Sequence, residues 1–268
     1  KLDKLKSEEY YHLGNTETFN STRYNSYNYQ NKILDSIDHF KNSFKDFDKG
    51  NERLGENNFF IVGSPRSGTT LVESIVTSND EVFAGGELAT SKNLIGNYLR
   101  LKETNSQKMM IDFNKKYLRR TNYIRKDFKY IIDKLPENFL YLGYILKFLP
   151  NAKIIRLFRD PWDTAISLYK QRYVQNIPYS SSFFNIGVFM ANFEAINLFW
   201  NSNIPNKDNC ILDIHYEEVV KDESMAQKKI YEFLGIKSPY KTEKRDTFFS
   251  ATASMRQVQG GIHQKSIK

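Results

Sequence analysis

Phe59-Phe60-Ile61-Val62-Gly63-Ser64-Pro65-Arg66-Ser67-Gly68-Thr69-Thr70-Leu71 joins a short apolar run, a glycine-bracketed turn and the opening of a helix. The continuous run Phe59 to Val62 is what a strand covered on both faces of a parallel sheet requires. Gly63 and Gly68 bracket four residues, and Leu71, Val72, Ile75 and Val76 then recur at helical spacing. Glycines let the backbone turn sharply, and the free N–H groups of a helix N-terminus point at an anion. The stretch therefore reads as a phosphate cradle, against the plainer alternative of an ordinary strand–turn–helix junction.

A Walker A loop, GxxxxGK[ST], needs Lys after its second Gly, and here Thr69 holds that place. The only cation in the turn is Arg66, whose guanidinium can fork onto a pair of phosphate or sulfate oxygens. The loop is suited to a phosphoryl-type anion without the lysine of an NTPase.

Pro65-Arg66-Ser67-Gly68-Thr69-Thr70-Leu71 resembles the 5′-phosphosulfate loop of sulfotransferases, enzymes that use 3′-phosphoadenosine-5′-phosphosulfate (PAPS) as sulfuryl donor. The Arg-Ser-Gly-Thr-Thr variant looks like the tyrosylprotein sulfotransferases and the bacterial sulfotransferases that carry tetratricopeptide repeats. The resemblance covers roughly residues 59–268 and implies an α/β, P-loop-like three-layer fold with a central parallel sheet flanked by helices. In the loop it implies donor binding by Arg66, Ser67, Gly68, Thr69 and Thr70, with Arg66 also catalytic.

Working outward, residues 1–57 are rich in Asn, Tyr, Lys and Ser and read as an N-terminal helical arm or linker before a catalytic domain at 58–268. Ile33, Ile37, Phe40, Phe44 and Phe47 predict an amphipathic helix over 30–47, and Glu9 to Asn15 reads as a helix tail ending at Gly14. In the repeat-bearing bacterial enzymes such a segment joins the last helical repeat to the catalytic domain, so the arm reads either as the end of a deleted repeat region or as a simple N-terminal arm packed on the domain.

Beyond the loop, Glu81 to Leu88 reads as a short strand entering a glycine turn, with a helix starting near Leu88. Taken alone, Glu87 reads as a carboxylate that complements a helix dipole. The resemblance gives Gly86-Glu87 another role, since a Glu in a Gly-Glu pair at this distance is the family's proposed general base. Residues 88–129 look helical, with Met109, Met110, Phe113, Tyr117 and Leu118 as a buried stripe. Arg119, Arg120, Arg125, Lys126 and Lys129 form a basic cluster, read as a solvated face or as a landing site for an acidic acceptor.

Tyr130 to Asp133 predicts a second buried strand with Lys134 at its end, followed by a helix over 138–149. Lys134 before Pro136 resembles the family lysine that contacts the leaving phosphate and the sulfuryl group. Lys153 to Phe158 predicts a third strand, after which Asp160 is a good N-cap and Pro161 suits the first helical position. Arg159 and Ser167, eight residues apart across that junction, match the family's 3′-phosphate pair, with Lys170 and Arg172 adding charge nearby. Cys210 to Ile214 predicts a fourth strand, and Tyr216 after it matches a tyrosine that packs near the adenine, against an equal reading as core. Ser254, three residues before Gln257-Val258, matches a serine near the sulfuryl group in a segment that closes over PAPS.

The bulk properties fit this picture without choosing it. A net charge of +8 suits an anionic ligand or acceptor and would suit nucleic acid equally, but no nucleic-acid motif is present. No stretch approaches the roughly 20 apolar residues of a membrane span. Cys210 is the only cysteine and the four histidines lack ligand spacing, so no metal is expected. The chain begins at Lys1 rather than Met, which reads as a fragment or processed form, and a cytoplasmic location is expected if the source is bacterial. The expected activity is sulfuryl transfer from PAPS to a hydroxyl on a protein tyrosine, a carbohydrate or a small molecule, with Glu87 as general base and Arg66, Lys134 and Ser254 beside the reacting group. Leu88-Ala89-Thr90-Ser91 follow Glu87, and Lys92 is the first cation, unlike the basic run of the tyrosylprotein enzymes. A P-loop nucleotide kinase or NTPase, and a non-catalytic nucleotide-binding module, are the alternatives. The oligomeric state is open.

Overall fold

In the computed structural model, Asn58–Gly63 (β1), Val82–Ala84 (β2), Tyr130–Asp133 (β3), Lys153–Phe158 (β4) and Ile211–His215 (β5) form one sheet in the order β2-β3-β1-β4-β5. The structure describes residues 2–22, 24–45, 54–171 and 177–237. Ser254 and the segment around it, Arg172 and Phe47 lie outside the described residues. Every strand pair is parallel, with Phe60 opposite Ile154 on one side of β1 and opposite Asp133 on the other. The chain visits β2 and β3 on one side of β1 and then β4 and β5 on the other, so the crevice beside β1 is where such a sheet binds ligands.

The helices are Leu2–Thr22 (α1), Ser26–Ser43 (α2), Thr69–Val76 (α3), Thr90–Arg100 (α4), Ser106–Arg125 (α5), Leu142–Phe148 (α6), Pro161–Lys170 (α7), Phe183–Asn203 (α8), Tyr216–Lys221 (α9) and Glu223–Leu234 (α10). They cover both faces of the sheet. Phe60 and Val62 point into a core shared with Phe113, Tyr144, Phe189 and Trp200, while Phe59 and Ile61 point into a second core with Val72, Ile75, Val219 and Ile230. The unbroken apolar run of β1 follows from this double burial, because alternation along a strand serves both faces.

Several boundaries differ from the sequence reading. α1 runs through Gly14, where an added Cβ would meet nothing within 4 Å, so this glycine needs no helix end. α2 starts earlier than residue 30 because the Asn25 side chain accepts from the Tyr27 N–H (2.9 Å), and its Ile33 and Phe40 are buried. Residues 88–129 form two helices, the second opened by the Asn105 side chain, which accepts from the Lys108 N–H (2.9 Å). Met109, Phe113 and Tyr117 are buried as expected, with Met110 and Leu118 packed at the edge of that core. The helix expected over 138–149 is a 3-10 segment, Pro136–Tyr141, followed by α6. The basic cluster at the end of α5 leads into the amino end of β3, so it lies at the opposite end of the sheet from the glycine loop. Arg125 donates to the Lys129 carbonyl, and the Lys129 ammonium lies over the Tyr130 ring, 4.8 Å from its centroid.

β4 also carries a buried cation that the sequence reading passed over. Arg156, fully buried, donates to both oxygens of Asp213 on β5 (2.7 and 2.8 Å) and to Asn197 (3.0 Å) and Asn201 (2.7 Å) on α8. A guanidinium tolerates burial only with its fork satisfied in this way, and here it ties the two strands to the covering helix.

Candidate functional site

The loop after β1 places two left-handed residues in one turn. Arg66 has φ +72° and Gly68 has φ +95°, with Ser67 between them donating its hydroxyl to the Ser64 carbonyl (2.7 Å). Gly68 is obligatory on two counts. Its φ is one that side chains rarely adopt, and an added Cβ would lie 2.5 Å from the Tyr216 ring. Gly68 is also the N-cap of α3 and offers no side chain, so the first-turn N–H groups are not capped from that position. Ser67, Thr69 and Thr70 are buried beside them.

Arg66 is nearly buried, and its side chain crosses to α7, where Nε donates to Ser167 Oγ (2.9 Å). Arg159, one residue past β4, donates through Nη1 to the Arg66 carbonyl (3.0 Å). Its guanidinium lies 4.4 Å from the Tyr216 ring centroid and 3.9 Å from Asp163. The junction below follows the expected chemistry, since the Asp160 carboxylate accepts from the N–H groups of Trp162 (2.9 Å) and Asp163 (3.0 Å), with Pro161 opening α7. Arg66 thus stands between Ser167 and Arg159, and the two arginines, the serine and Tyr216 form one cluster on the loop.

On the other side of β1, Glu87 and Lys134 meet. Lys134 Nζ donates to Glu87 Oε1 (2.8 Å), with the lysine side chain 1% exposed and the glutamate side chain 37% exposed. The loop lysine expected from sequence is therefore a buried one. Glu87 does not open a helix, because α4 begins three residues later at Thr90. The turn that carries it is anchored by the backbone instead. Gly85 N–H donates to the Ile132 carbonyl (2.9 Å), and Lys134 N–H donates to the Gly86 carbonyl (2.9 Å). Gly86 supplies φ +66° at the bend. Asp133 braces the same turn from below. It is buried and accepts from Tyr117 Oη (2.9 Å), Ser91 Oγ (3.4 Å) and the Leu88 N–H. Burial pushes its pKa up to about 8 against the pull of these donors.

One residue of this group belongs to no motif. Glu73 on α3 is buried behind Lys134, with Oε2 at 3.8 Å from Nζ. Burial pushes its pKa up to about 7, with Lys134 opposing the rise and Glu87 adding to it. The signal in the sequence was a lone carboxylate inside Leu71-Val72-Glu73-Ser74-Ile75-Val76, at a position that helical spacing turns toward the sheet. Lys92, the first cation after Glu87, is ion-paired with Glu137.

Arg66, Glu87, Lys134 and Arg159 lie one to three positions past the carboxyl end of a strand, and Glu73, Ser167 and Tyr216 lie in the helix that follows one. A sequence model described as the sulfotransferase family matches residues 58–240, which takes in all five strands. The chain belongs to the sulfotransferase family. A search of curated proteins finds similarity to an uncharacterized protein of Aquifex aeolicus (strain VF5), 28% identical over 243 residues, or 82% of this chain. The sulfotransferase chain spans about a third (31%) of that relative's length. Among solved structures, the sulfotransferase domain of the Synechococcus PCC 7002 olefin synthase is similar with a TM-score of 0.54 at 17% identity, over 79% of this chain and 86% of that one. The sulfotransferase domain from the curacin biosynthetic pathway gives a TM-score of 0.51 at 16% identity, over 75% and 82%. At these identities the likeness concerns the fold of the sulfotransferase, a parallel sheet flanked by helices.

Proposed function

We propose that this sulfotransferase moves a sulfuryl group from PAPS to an acceptor hydroxyl, with Glu87 as general base. The observation that carries the reading is the pairing of two groups across β1: the Arg66–Arg159–Ser167–Tyr216 cluster on one side and the Lys134–Glu87 pair on the other. The fit to PAPS rests on the chemistry of these donors. The glycine loop and the start of α3 would receive the 5′-phosphosulfate, helped by Arg66, Ser67, Thr69 and Thr70. Arg159 and Ser167 would hold the 3′-phosphate, and Tyr216 stands on the adenine side.

When bound, PAPS supplies an activated sulfuryl group on a phosphate leaving group. By analogy with phosphoryl transfer, such a transfer asks for alignment and for cations where charge gathers on the leaving oxygen. Arg66 and Lys134 are placed to provide that charge. Glu87 faces solvent beyond Lys134 and can take the acceptor proton as attack proceeds, a contribution of about 10²–10⁴-fold. Ser254 is assigned a place near the sulfuryl group on the resemblance alone. The acceptor is a hydroxyl of a peptide, a glycan or a small molecule. The pairing of Lys92 with Glu137 removes the nearest cation that an acidic peptide would seek, which weighs against a tyrosine in an acidic sequence.

The test is calorimetric titration with the donor's product, 3′-phosphoadenosine-5′-phosphate (PAP), and with ATP–Mg²⁺, on wild type and Arg159→Ala. Tight PAP binding without Mg²⁺, weakened by the substitution and exceeding that of ATP–Mg²⁺, is expected. No PAP binding, or preference for ATP–Mg²⁺, overturns the reading.

A further inference from the structure

Lys134 has one ammonium and two carboxyl neighbours. Glu87 Oε1 is 2.8 Å away on the solvent side and Glu73 Oε2 is 3.8 Å away on the core side. The three groups form a column from interior to surface, with Glu73 2%, Lys134 1% and Glu87 37% exposed. Glu73 Oε1 is buried and has no hydrogen-bond partner among the described residues. A fully ionised carboxylate in that position would leave an oxygen desolvated and unpaired, which is costly, whereas a neutral carboxyl tolerates it. One ammonium also balances only one carboxylate, and two ionised carboxylates around it would leave a buried surplus charge.

We propose that Glu73 is a positioning residue for Lys134: neutral, it leaves the ammonium to Glu87 and the donor anion, and ionised, it draws the ammonium back toward the core. The proposal rests on the PAPS reading for the identity of the anion. It goes beyond it in giving the ammonium a second seat and making donor affinity depend on the charge of a residue that touches no substrate. The groups that act on Glu73 are Lys134, Glu87 and Asp133, with the Gly86 N–H facing its carboxyl. β1, which packs against α3, contains no titratable residue. α10 meets α3 through Tyr231, whose hydroxyl donates to the Ile75 carbonyl (3.0 Å), and its Lys228 and Lys229 are paired with Glu232 and Glu218.

The sign is fixed by linkage. An anion near Lys134 favours the neutral form of Glu73, so binding takes up protons and affinity falls as pH rises through its titration. PAP itself carries phosphates that titrate near pH 6, but they do so equally for every variant. PAP affinity is therefore measured calorimetrically at pH 6 and pH 8.5 for wild type and Glu73→Gln, whose side chain mimics the neutral acid. The ratio of wild-type to Glu73→Gln affinity is expected to fall about three- to tenfold between the two pH values, the larger figure being one pKa unit of coupling. A ratio that does not change with pH overturns the proposal, since a purely structural role would shift affinity at both pH values alike.

A second measurement needs no ligand. With ¹³C-carboxyl-labelled glutamate, one carboxyl of the wild type should titrate in the neutral range, and Glu87→Gln should lower its midpoint by removing the competing charge. Glu73→Gln should abolish the signal. The comparison of wild type with Glu87→Gln stands even if Glu73→Gln does not fold. No neutral-range carboxyl, or a midpoint that Glu87→Gln leaves in place, overturns the sharing of Lys134. If PAP binds no variant at either pH, the PAPS reading fails by itself, and the carboxyl titration still decides whether Glu73 and Glu87 share the ammonium.

Discussion

Arg66 holds a left-handed backbone, φ +72°, that a side-chain-bearing residue adopts at a cost of about 1–3 kcal/mol. What sustains it is visible around it: its carbonyl is held by Arg159 and its Nε by Ser167. The strain stays because these contacts determine the conformation. At Gly68 the same turn tolerates no side chain. Gly68→Ala is expected to lower stability by about 1–3 kcal/mol, and pairing it with Tyr216→Ala should recover only part of that, since the φ penalty persists when the ring is gone. Thermal melts of the two single variants and the double variant check this, and full recovery in the double variant would leave the clash as the sole cause. Arg66, Arg159 and the loop were legible in the sequence because local spacing carries them. Glu73 was not, because its meaning depends on Lys134, which reaches it only through the pairing of β3 beside β1.

At the scale of elements, caps were easier to read than lengths. Asp160 with Pro161 announced α7, since both signals act within the first turn. The break between α4 and α5 carries no proline or glycine, so the residues 88–129 looked continuous, and the Asn105 cap decides it. Gly14 misled in the other direction, as a glycine without positive φ or a close neighbour is only a weak helix residue. α2 shows how the N-terminal segment is fastened. Phe40 meets Trp200 at 5.1 Å and Tyr144 at 5.2 Å, both edge-on, and is 4% exposed. Phe40→Ala is expected to cost about 3–5 kcal/mol, as for other large aromatic truncations, and denaturant unfolding measures it. A loss under 1 kcal/mol would mean that α2 is dispensable to the core. Arg156 belongs to this scale too. Arg156→Ala should destabilise by about 1–3 kcal/mol, chiefly by leaving the side-chain oxygens of Asn197 and Asn201 without their donor, since Lys207 (3.3 Å) still pairs with Asp213, and denaturant unfolding measures the loss.

For the whole molecule, two buried acids set a pH dependence of stability. Glu73 and Asp133 titrate at about 7 and about 8 when folded, against 4.5 and 3.8 for free side chains. Between those limits the folded chain binds more protons than the unfolded chain. The unfolding free energy from these groups is therefore highest at acid pH and is lost as pH rises through about 7 to 8. The melting temperature of Glu73→Gln should accordingly decline less than that of wild type between pH 6 and pH 8.5, and parallel declines would show that Glu73 is already ionised at pH 6. The fold class was legible from four apolar runs, the short strand at 81–88 and the resemblance carried by the glycine loop. The side of each strand facing which core was not, because strands buried on both faces show no alternation. No helix among the described residues is long and apolar enough to cross a membrane.

The strand order has a further consequence, in the order of synthesis. Arg66, Glu87 and Lys134 come from the half of the chain that ends with β3, whereas Arg159, Ser167 and Tyr216 come from the half that begins with β4. A nascent chain emerges amino end first. The glycine loop is made early, yet the ring that packs on Gly68 arrives only after β5 has left the ribosome. On the proposed reading, an anionic nucleotide would until then find one wall of its crevice and no opposite wall, so it would not help the first half of the sheet to fold. The early strands must hold together on their own apolar cores, which gives β1 a reason to be Phe-Phe-Ile-Val before it is the support of a binding loop.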